Sequence, residues 1–227
     1  FTQYVHHQMV ENNFSEVIFV ARDGYTLEKA FKMLFKDMTA YYAYCPRIFL
    51  KQNREHFKNY IKTITQNTNF TAVDTITGSF SAQKVFEQSF EQRFKFIYWV
   101  VYGSQSKDYK HLEFSDNGTN NWDFMEFLMT SPEAPLEGLD DEYKPIFKER
   151  QEKEQIRSQL YLKVSQGELT YCELMQAIFG IYLPEINGES IVLFINNFLA
   201  NNAEELPYLK QLYHACDAEH KKYRALF

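Results

Sequence analysis

The fold is decided by the stretch Glu16-Val-Ile-Phe-Val-Ala-Arg-Asp-Gly-Tyr-Thr-Leu-Glu-Lys-Ala-Phe31. It begins with a short apolar run rich in β-branched residues, which predicts a buried strand over Val17–Arg22. Asp23 and Gly24 end this run, and a helical pattern follows at once. A strand, an acidic turn and a helix form the start of an α/β unit. Open α/β sheets bind their ligands at the edge where such turns lie.

A second copy of this layout begins about fifty residues later, with the predicted strand Phe70–Asp74 and a helix after it. A strand over Thr39–Cys45 and its helix lie between the two copies, and the apolar strand Phe94–Val101 is expected to be central. This alternation forces parallel pairing with right-handed crossovers. We therefore predict a doubly wound, Rossmann-like α/β core over residues 1–115.

The pattern changes after Gly103, and Ser115–Asn121 is a polar, turn-forming segment. Helical periodicity dominates the remainder and is clearest at Ile191, Phe194, Ile195 and Phe198. We predict a mainly helical C-terminal region over residues 116–227, packed on the core. In this interpretation the region contains no second sheet, and a last helix ends at Phe227.

Composition narrows the class of protein. The net charge of −6 argues against nucleic acid as a partner, because phosphate neutralisation needs a basic face. No apolar run is long enough to span a membrane, and no signal peptide is recognisable. Three widely spaced cysteines are typical of reduced thiols, so we expect a cytoplasmic protein. Because the chain starts at Phe1 and not at Met, we expect one domain of a longer protein.

Two aspartates mark the predicted site. Asp23 and Asp74 each follow a buried run, so in a parallel sheet they are expected to lie side by side. Two such carboxylates suit a divalent cation such as Mg²⁺. Alternatively, one acts as nucleophile or proton carrier beside the other. The structural alternative is that each aspartate only caps the helix or turn after it.

The segment Thr75-Ile-Thr-Gly-Ser-Phe-Ser81 adds hydroxyl groups and one glycine directly before a helix. Backbone amides at a helix N-terminus, with hydroxyls beside them, form a cradle for phosphate. The lysine of a P-loop is missing, which argues against ordinary nucleoside triphosphate binding. The alternative is a well-capped helix start, with Ser79 as the N-cap.

Two arginines complete the predicted site. Arg22 and Arg47 fall at strand ends that face the same edge, where either side chain could bind a phosphate in bidentate fashion. The alternative for each is a salt bridge to one of the two aspartates. The predicted ligand-binding residues are Arg22, Gly24, Arg47, Thr75, Thr77, Gly78, Ser79 and Ser81.

The motif Phe19-Val-Ala-Arg-Asp-Gly-Tyr25 resembles a domain of bacterial surface-polysaccharide biosynthesis proteins. That domain is often found with glycosyltransferases and is commonly described as a predicted hydrolase of the haloacid dehalogenase superfamily. The resemblance covers nearly the whole chain. It continues through Tyr42–Arg47, Asp74–Gln83, Met129–Glu133 and His214–His220.

This resemblance implies a Mg²⁺-dependent phosphate-ester hydrolase. The looser Asp-x-Tyr form of the superfamily motif would make Asp23 the nucleophile, with Tyr25 behind it. The fuller Asp-x-Asp-Gly-Thr form would instead place Ala21 at the nucleophile position and Asp23 at the acid. Asp74 resembles the late acidic motif that holds Mg²⁺, although the usual second acid is absent, and Lys51 is the candidate for the lysine of the third motif.

A second resemblance concerns Val73-Asp-Thr-Ile-Thr-Gly-Ser79, which is similar to the ribose-phosphate loop of phosphoribosyltransferases but has one acid in place of two. Both resemblances imply a phosphorylated sugar or nucleotide as ligand. The alternative to an enzyme is a non-catalytic interaction module, in which the helical half docks a glycosyltransferase of the same or a neighbouring chain.

Overall fold

The computed structural model describes residues 1–103, 107–115, 122–150, 152–180, 182–184, 186–202, 213–217 and 222–225. A short 3₁₀ turn at Arg47–Leu50 lies between β2 and α3. In chain order the other elements are α1 (Thr2–Glu11), β1 (Glu16–Val20), α2 (Gly24–Leu34), β2 (Thr39–Ala43), α3 (Arg54–Ile64), β3 (Phe70–Thr77), α4 (Ser81–Phe90), β4 (Phe96–Val101), β5 (His111–Glu113), α5 (Trp122–Met129), β6 (Leu136–Leu139), β7 (Pro145–Phe147), α6 (Glu152–Phe179), α7 (Gly188–Asn202), β8 (Tyr213–Asp217) and β9 (Lys222–Ala225).

The main sheet has five parallel strands in the order β2-β1-β3-β4-β5. Helices flank it, so the predicted doubly wound, Rossmann-like α/β fold is confirmed. The strand β4, expected to be central, lies between β3 and β5. The short strand β5 was not predicted, because its sequence His-Leu-Glu is too brief to show an apolar run. The strand order reverses direction between β1 and β3, which makes this gap the switch point of the sheet.

Aromatic side chains fill the core on one face of the sheet. Phe57 of α3 packs edge-on against Phe86 of α4, with ring centroids 5.0 Å apart. Phe86 in turn packs against Phe96 of β4, at 5.3 Å. On the other face, Phe19 of β1 packs against Phe31 of α2. The high aromatic content of the chain therefore serves mainly the core, where such ring pairs add to the stabilisation from buried area.

The C-terminal region contains three described helices, but it also contains paired strands. β6 and β7 form one antiparallel hairpin, and β8 and β9 form another. The prediction of a region without paired strands is therefore wrong, and so is the last helix, because residues 213–217 and 222–225 are extended. The turn between β6 and β7 is held by the Asp140 carboxylate, which accepts hydrogen bonds from the amides of Glu142 and Lys144. Such local side-chain bonds compete with helix formation.

Helices of this region pack on the sheet. Met125 of α5 and Ile195 of α7 share a buried cluster with Trp99 of β4. The hydroxyl of Tyr161 on α6 lies 2.6 Å from that of Thr26 on α2. Of the helices that the structure describes, not one has an apolar stretch long enough to cross a membrane.

Two helical glycines are expected to respond in opposite ways to alanine. A Cβ at Gly24 would lie 2.7 Å from the backbone carbon of Phe19, whereas a Cβ at Gly167 would meet nothing within 4 Å. Gly24→Ala should therefore cost roughly 1–3 kcal/mol of unfolding free energy through overpacking. Gly167→Ala should raise it by about 0.5–1 kcal/mol, because alanine restricts the unfolded chain. Urea denaturation measures both free energies of unfolding. A value for Gly24→Ala equal to that of wild type would contradict the tight contact between Gly24 and Phe19.

Candidate functional site

The pairing of β1 with β3 brings the two predicted aspartates to the same edge. The last paired residues are Phe19 and Val73. Beyond them β1 ends at Val20, whereas β3 runs on to Thr77, three residues further than predicted. Asp74 therefore lies inside β3. Asp23 lies just past the end of β1, which is the strand adjacent to β3. The prediction that they are neighbours at the carboxyl edge of one parallel sheet is confirmed.

The next residue of β3 connects the two aspartates. The hydroxyl of Thr75 donates a hydrogen bond to Oδ2 of Asp23 at 2.6 Å, and its amide donates to Oδ1 of Asp74 at 2.9 Å. Asp23 occupies the N-cap position of α2, but within the described residues its carboxylate makes no capping bond to that helix. The capping alternative for Asp23 is therefore not what the structure shows.

The carboxyl group of Asp74 is held near neutrality. Burial is the largest cause that raises its pKa to about 7, followed by the negative charge of Asp23. The charge of Glu126 on α5 also raises the pKa, while the Thr75 amide and the charge of Arg47 lower it. The free energy of unfolding therefore falls as the pH rises from 3.8, the ordinary pKa of the group, to about 7, because the unfolded chain ionises Asp74 more readily than the folded protein does.

Glu126 was missed in the sequence because it is one of many acids on predicted helices. Its place on α5 resembles that of an ordinary polar residue on an amphipathic helix, and only the packing of α5 over the edge brings its charge near Asp74. Cys45 and Tyr98 are also close, since the charge of Asp74 raises the pKa of both groups after the larger effect of burial.

The two arginines differ in position. Arg47 lies in the 3₁₀ turn after β2, is exposed, and acts electrostatically on Asp74. Arg22 points instead toward α6, where its Nη1 lies 3.9 Å from Oε2 of Glu154, a buried side chain. That Nη1 is itself buried and has no hydrogen-bond partner within the described residues. The expected alternative, a salt bridge of Arg22 to Asp23 or Asp74, is replaced by this longer-range contact.

The predicted phosphate loop is partly strand and partly a closed turn. Thr75 and Thr77 belong to β3, and α4 begins only at Ser81. Phe80 is the N-cap residue, so the prediction that Ser79 caps the helix is wrong. The amide of Phe80 donates to the Thr77 hydroxyl at 2.9 Å, which supplies the turn with its hydrogen bond instead.

The two glycines of the predicted site lie against protein atoms. A Cβ at Gly78 would lie 2.5 Å from the ring of Tyr102, so this ring covers the approach to Gly78. A Cβ at Gly24 would likewise come too close to Phe19, at 2.7 Å from its backbone carbon. Their glycine identity therefore has a packing reason that is independent of any ligand.

A cluster around Glu133 also went unrecognised in the sequence. The hydroxyls of Tyr42 and Tyr44 each donate to the Glu133 carboxylate at 2.6 Å. The backbone carbonyls of Ser131 and Glu133 accept hydrogen bonds from Arg157 of α6. The cluster thus joins the end of β2 to a segment some ninety residues later, and such a long-range contact leaves no local signal in the sequence.

A cation at Asp23 and Asp74 would be held by few protein ligands. The described residues contain no group of three or more His, Cys, Asp or Glu side chains arranged to hold a metal ion. Mg²⁺ usually keeps several waters and is bound by one or two carboxylates together with substrate phosphate. Two carboxylates close enough to raise the pKa of Asp74 fit that mode, because a cation would relieve their repulsion.

No protein-family model matches the sequence, and no curated protein matches it. The resemblance to the haloacid dehalogenase superfamily therefore remains a prediction.

The coupling of the two aspartates can be measured. Asp23→Asn is expected to lower the pKa of Asp74, because it removes the charge that contributes most after burial. The pKa can be followed by carbon NMR of labelled aspartate side chains between acidic and mildly basic pH. Asp141→Asn, at an exposed position in the turn between β6 and β7, is the matched control and should leave Asp74 unchanged. An equal pKa in wild type and Asp23→Asn would contradict the coupling.

Proposed function

We propose that this chain is a haloacid dehalogenase-like domain that binds a phosphorylated sugar or nucleotide and hydrolyses a phosphate ester at Asp23 and Asp74. The observation that carries the proposal is the pair of carboxylates at the switch point, one of which has a pKa raised to about 7. Neighbouring acids whose environments separate their pKa values can divide the roles of nucleophile and proton carrier.

The proposed chemistry divides the roles between the two aspartates. An oxygen of Asp23, oriented by the Thr75 hydroxyl, attacks the phosphorus atom while the ester oxygen leaves. Protonated Asp74 gives its proton to that leaving oxygen. As a carboxylate, Asp74 then takes a proton from a water molecule that attacks the aspartyl-phosphate, which releases inorganic phosphate and restores Asp23. A pKa near the working pH serves both steps.

Positive charge and amides are available for the phosphate. Arg47 contributes the cationic group whose charge already acts on Asp74. Because β3 ends at Thr77 and α4 begins at Ser81, the N-terminus of α4 lies at the same edge of the sheet, and helix N-termini bind anions through their backbone amides. Asp23, together with phosphate oxygens, would hold Mg²⁺, which would supply positive charge to the phosphate and leave Asp74 to carry the proton.

The biological setting is part of the proposal. We place the domain in the cytoplasm, in surface-polysaccharide biosynthesis, beside a glycosyltransferase of the same or a neighbouring chain. Two of the motifs that carry the resemblance, Tyr42–Arg47 and Met129–Glu133, meet through the hydrogen bonds of Tyr42 and Tyr44 to Glu133. Both motifs therefore contribute to the same contact, which joins the end of β2 to the segment before β6.

Phosphate release from a panel of sugar phosphates and nucleotides, with Mg²⁺ present, tests the hydrolysis. Asp74→Asn should lower kcat/KM by roughly 100- to 10,000-fold, the usual worth of a positioned proton carrier. Asp23→Asn should lower it at least as far, because it removes the nucleophile. The wild-type rate should change with an apparent pKa near that of Asp74, about 7. Asp141→Asn should retain full activity.

Two results would contradict the hydrolysis. One is the absence of turnover by wild type on every member of the panel. The other is turnover that survives both substitutions, which would place the chemistry elsewhere.

One observation favours a second candidate, the non-catalytic module that docks a glycosyltransferase. Tyr171, Leu174 and Ile178 follow one another at spacings of three and four residues on α6, and each is more than half exposed. On α7, Leu193 and Phe194 are exposed to 62% and 67%. Apolar residues grouped on exposed helices are typical of surfaces that bind another protein.

Docking is tested with the glycosyltransferase that is fused to this chain or encoded beside it. The double variant Ile178→Asp, Phe194→Asp should lose about 2 kcal/mol or more of binding free energy, the worth of interface hot spots. Ile146→Asp, at an exposed apolar position on β7, is the control and should bind like wild type. Self-association of the chain without glycosyltransferase binding would reject this candidate.

A further inference from the structure

A second concave site lies beside α2, α5 and α6. It is a cavity of about 510 Å³, a volume typical of small-molecule sites. Its wall is largely apolar and includes Leu27, Trp99, Met125, Met129 and Ile195. The proposed hydrolysis uses none of these residues.

One acid stands in this apolar wall. Glu168 lines the cavity, and burial alone raises its pKa to about 8. Within the described part of the chain, no hydrogen bond or ion pair reaches its carboxylate. The side chain is half-buried in the wall, where a carboxylate without a partner gains more from a complementary group than it would in open water.

The other polar groups that the structure describes in the wall include no second acid. The indole Nε1 of Trp99 is a buried donor without a hydrogen-bond partner within the described residues. The hydroxyl of Thr26 is shared with Tyr161 at 2.6 Å and with Ser165 at 2.7 Å. Burial, and then the charge of Glu168, raises the pKa of Cys172, which disfavours a thiolate nucleophile. Among the residues that line the cavity, Glu168 is therefore the acid that can pair with a cation.

The charges around Glu168 favour a cation. Glu168 and Glu173 both raise the pKa of Cys172, so this part of α6 is acidic. A cation in the cavity would meet acidic groups at its polar end and apolar side chains along its length.

We propose that this cavity binds a small apolar molecule that carries one basic nitrogen, whose ammonium group pairs with the Glu168 carboxylate. The apolar body lies against Leu27, Trp99, Met125 and Ile195, and the nitrogen reaches Glu168 on α6. The ligand class is an alkyl or aryl amine. A neutral molecule of the same shape loses the ion pair and keeps only the apolar contacts.

Octylamine and octanol test the charge requirement, because they share the apolar chain and differ in the terminal group. Calorimetric titration at about pH 9, where Glu168 is ionised and octylamine is still protonated, should show that wild type binds octylamine roughly 10- to 100-fold more tightly than octanol, the worth of a charge-assisted hydrogen bond. Glu168→Gln should remove this preference and leave the affinity for octanol unchanged. Its fold is expected to survive, because burial disfavours the charge that the substitution removes.

Gly167 offers a matched pair of variants that test the location. It lines the cavity, and a Cβ there meets nothing within 4 Å. Gly167→Phe should fill part of the cavity and lower octylamine affinity at least tenfold, whereas Gly167→Ala should bind like wild type. The fluorescence of Trp99 should change on binding, because its ring is part of the wall.

Three results would overturn the proposal. They are equal affinities of wild type for octylamine and octanol, an amine preference that persists in Glu168→Gln, and the absence of octylamine binding to wild type.

Discussion

The parallel pairing of β1 with β3 is the contact on which the candidate site depends. It joins the two halves of the sheet at the point where strand order reverses, and it stops where β1 ends while β3 continues. A slip of one residue would turn Asp74 to the opposite face, since side chains alternate along a strand. Buried Val17 and Phe19 fix the register along β1. At the amino end of β1, the Glu16 carboxylate holds the loop before β3 by accepting hydrogen bonds from the Gln66 amide and the Asn67 side chain.

The same strand pairing brings negative charges together at a buried part of the sheet edge, around Asp74. Burial, Asp23 and Glu126 oppose ionisation of Asp74, whereas the Thr75 amide and Arg47 favour it. The protein thus keeps at this edge an arrangement that lowers its own stability at neutral pH. Arrangements of this kind persist at functional sites, where activity and stability conflict.

The sequence predicted what depends on local pattern. The apolar runs that end in acids predicted β1 and β3. The alternation of strands with helices predicted the parallel sheet, and with it the two neighbouring aspartates. What it missed depends on contacts between distant segments. Glu154 meets Arg22, and Glu133 meets Tyr42, only because α6 and the segment before it fold back on the sheet. The prediction that Ser79 caps α4 is wrong for a different reason. β3 continues past Asp74, so the helix begins later, and the Thr77 hydroxyl accepts the hydrogen bond from the Phe80 amide.

The tight contact of Gly24 with Phe19 has a consequence for interpreting mutants. Gly24 begins α2 directly after Asp23, so the carboxylate and the buried ring of Phe19 share one short piece of backbone. A change in core volume near Phe19 is transmitted to the orientation of Asp23 without touching any ligand, because close-packed interiors transmit strain. For the proposed hydrolysis, impaired turnover in a variant of a buried residue near this ring would therefore report a displaced carboxylate. Such a residue would have no chemical part in the proposed reaction.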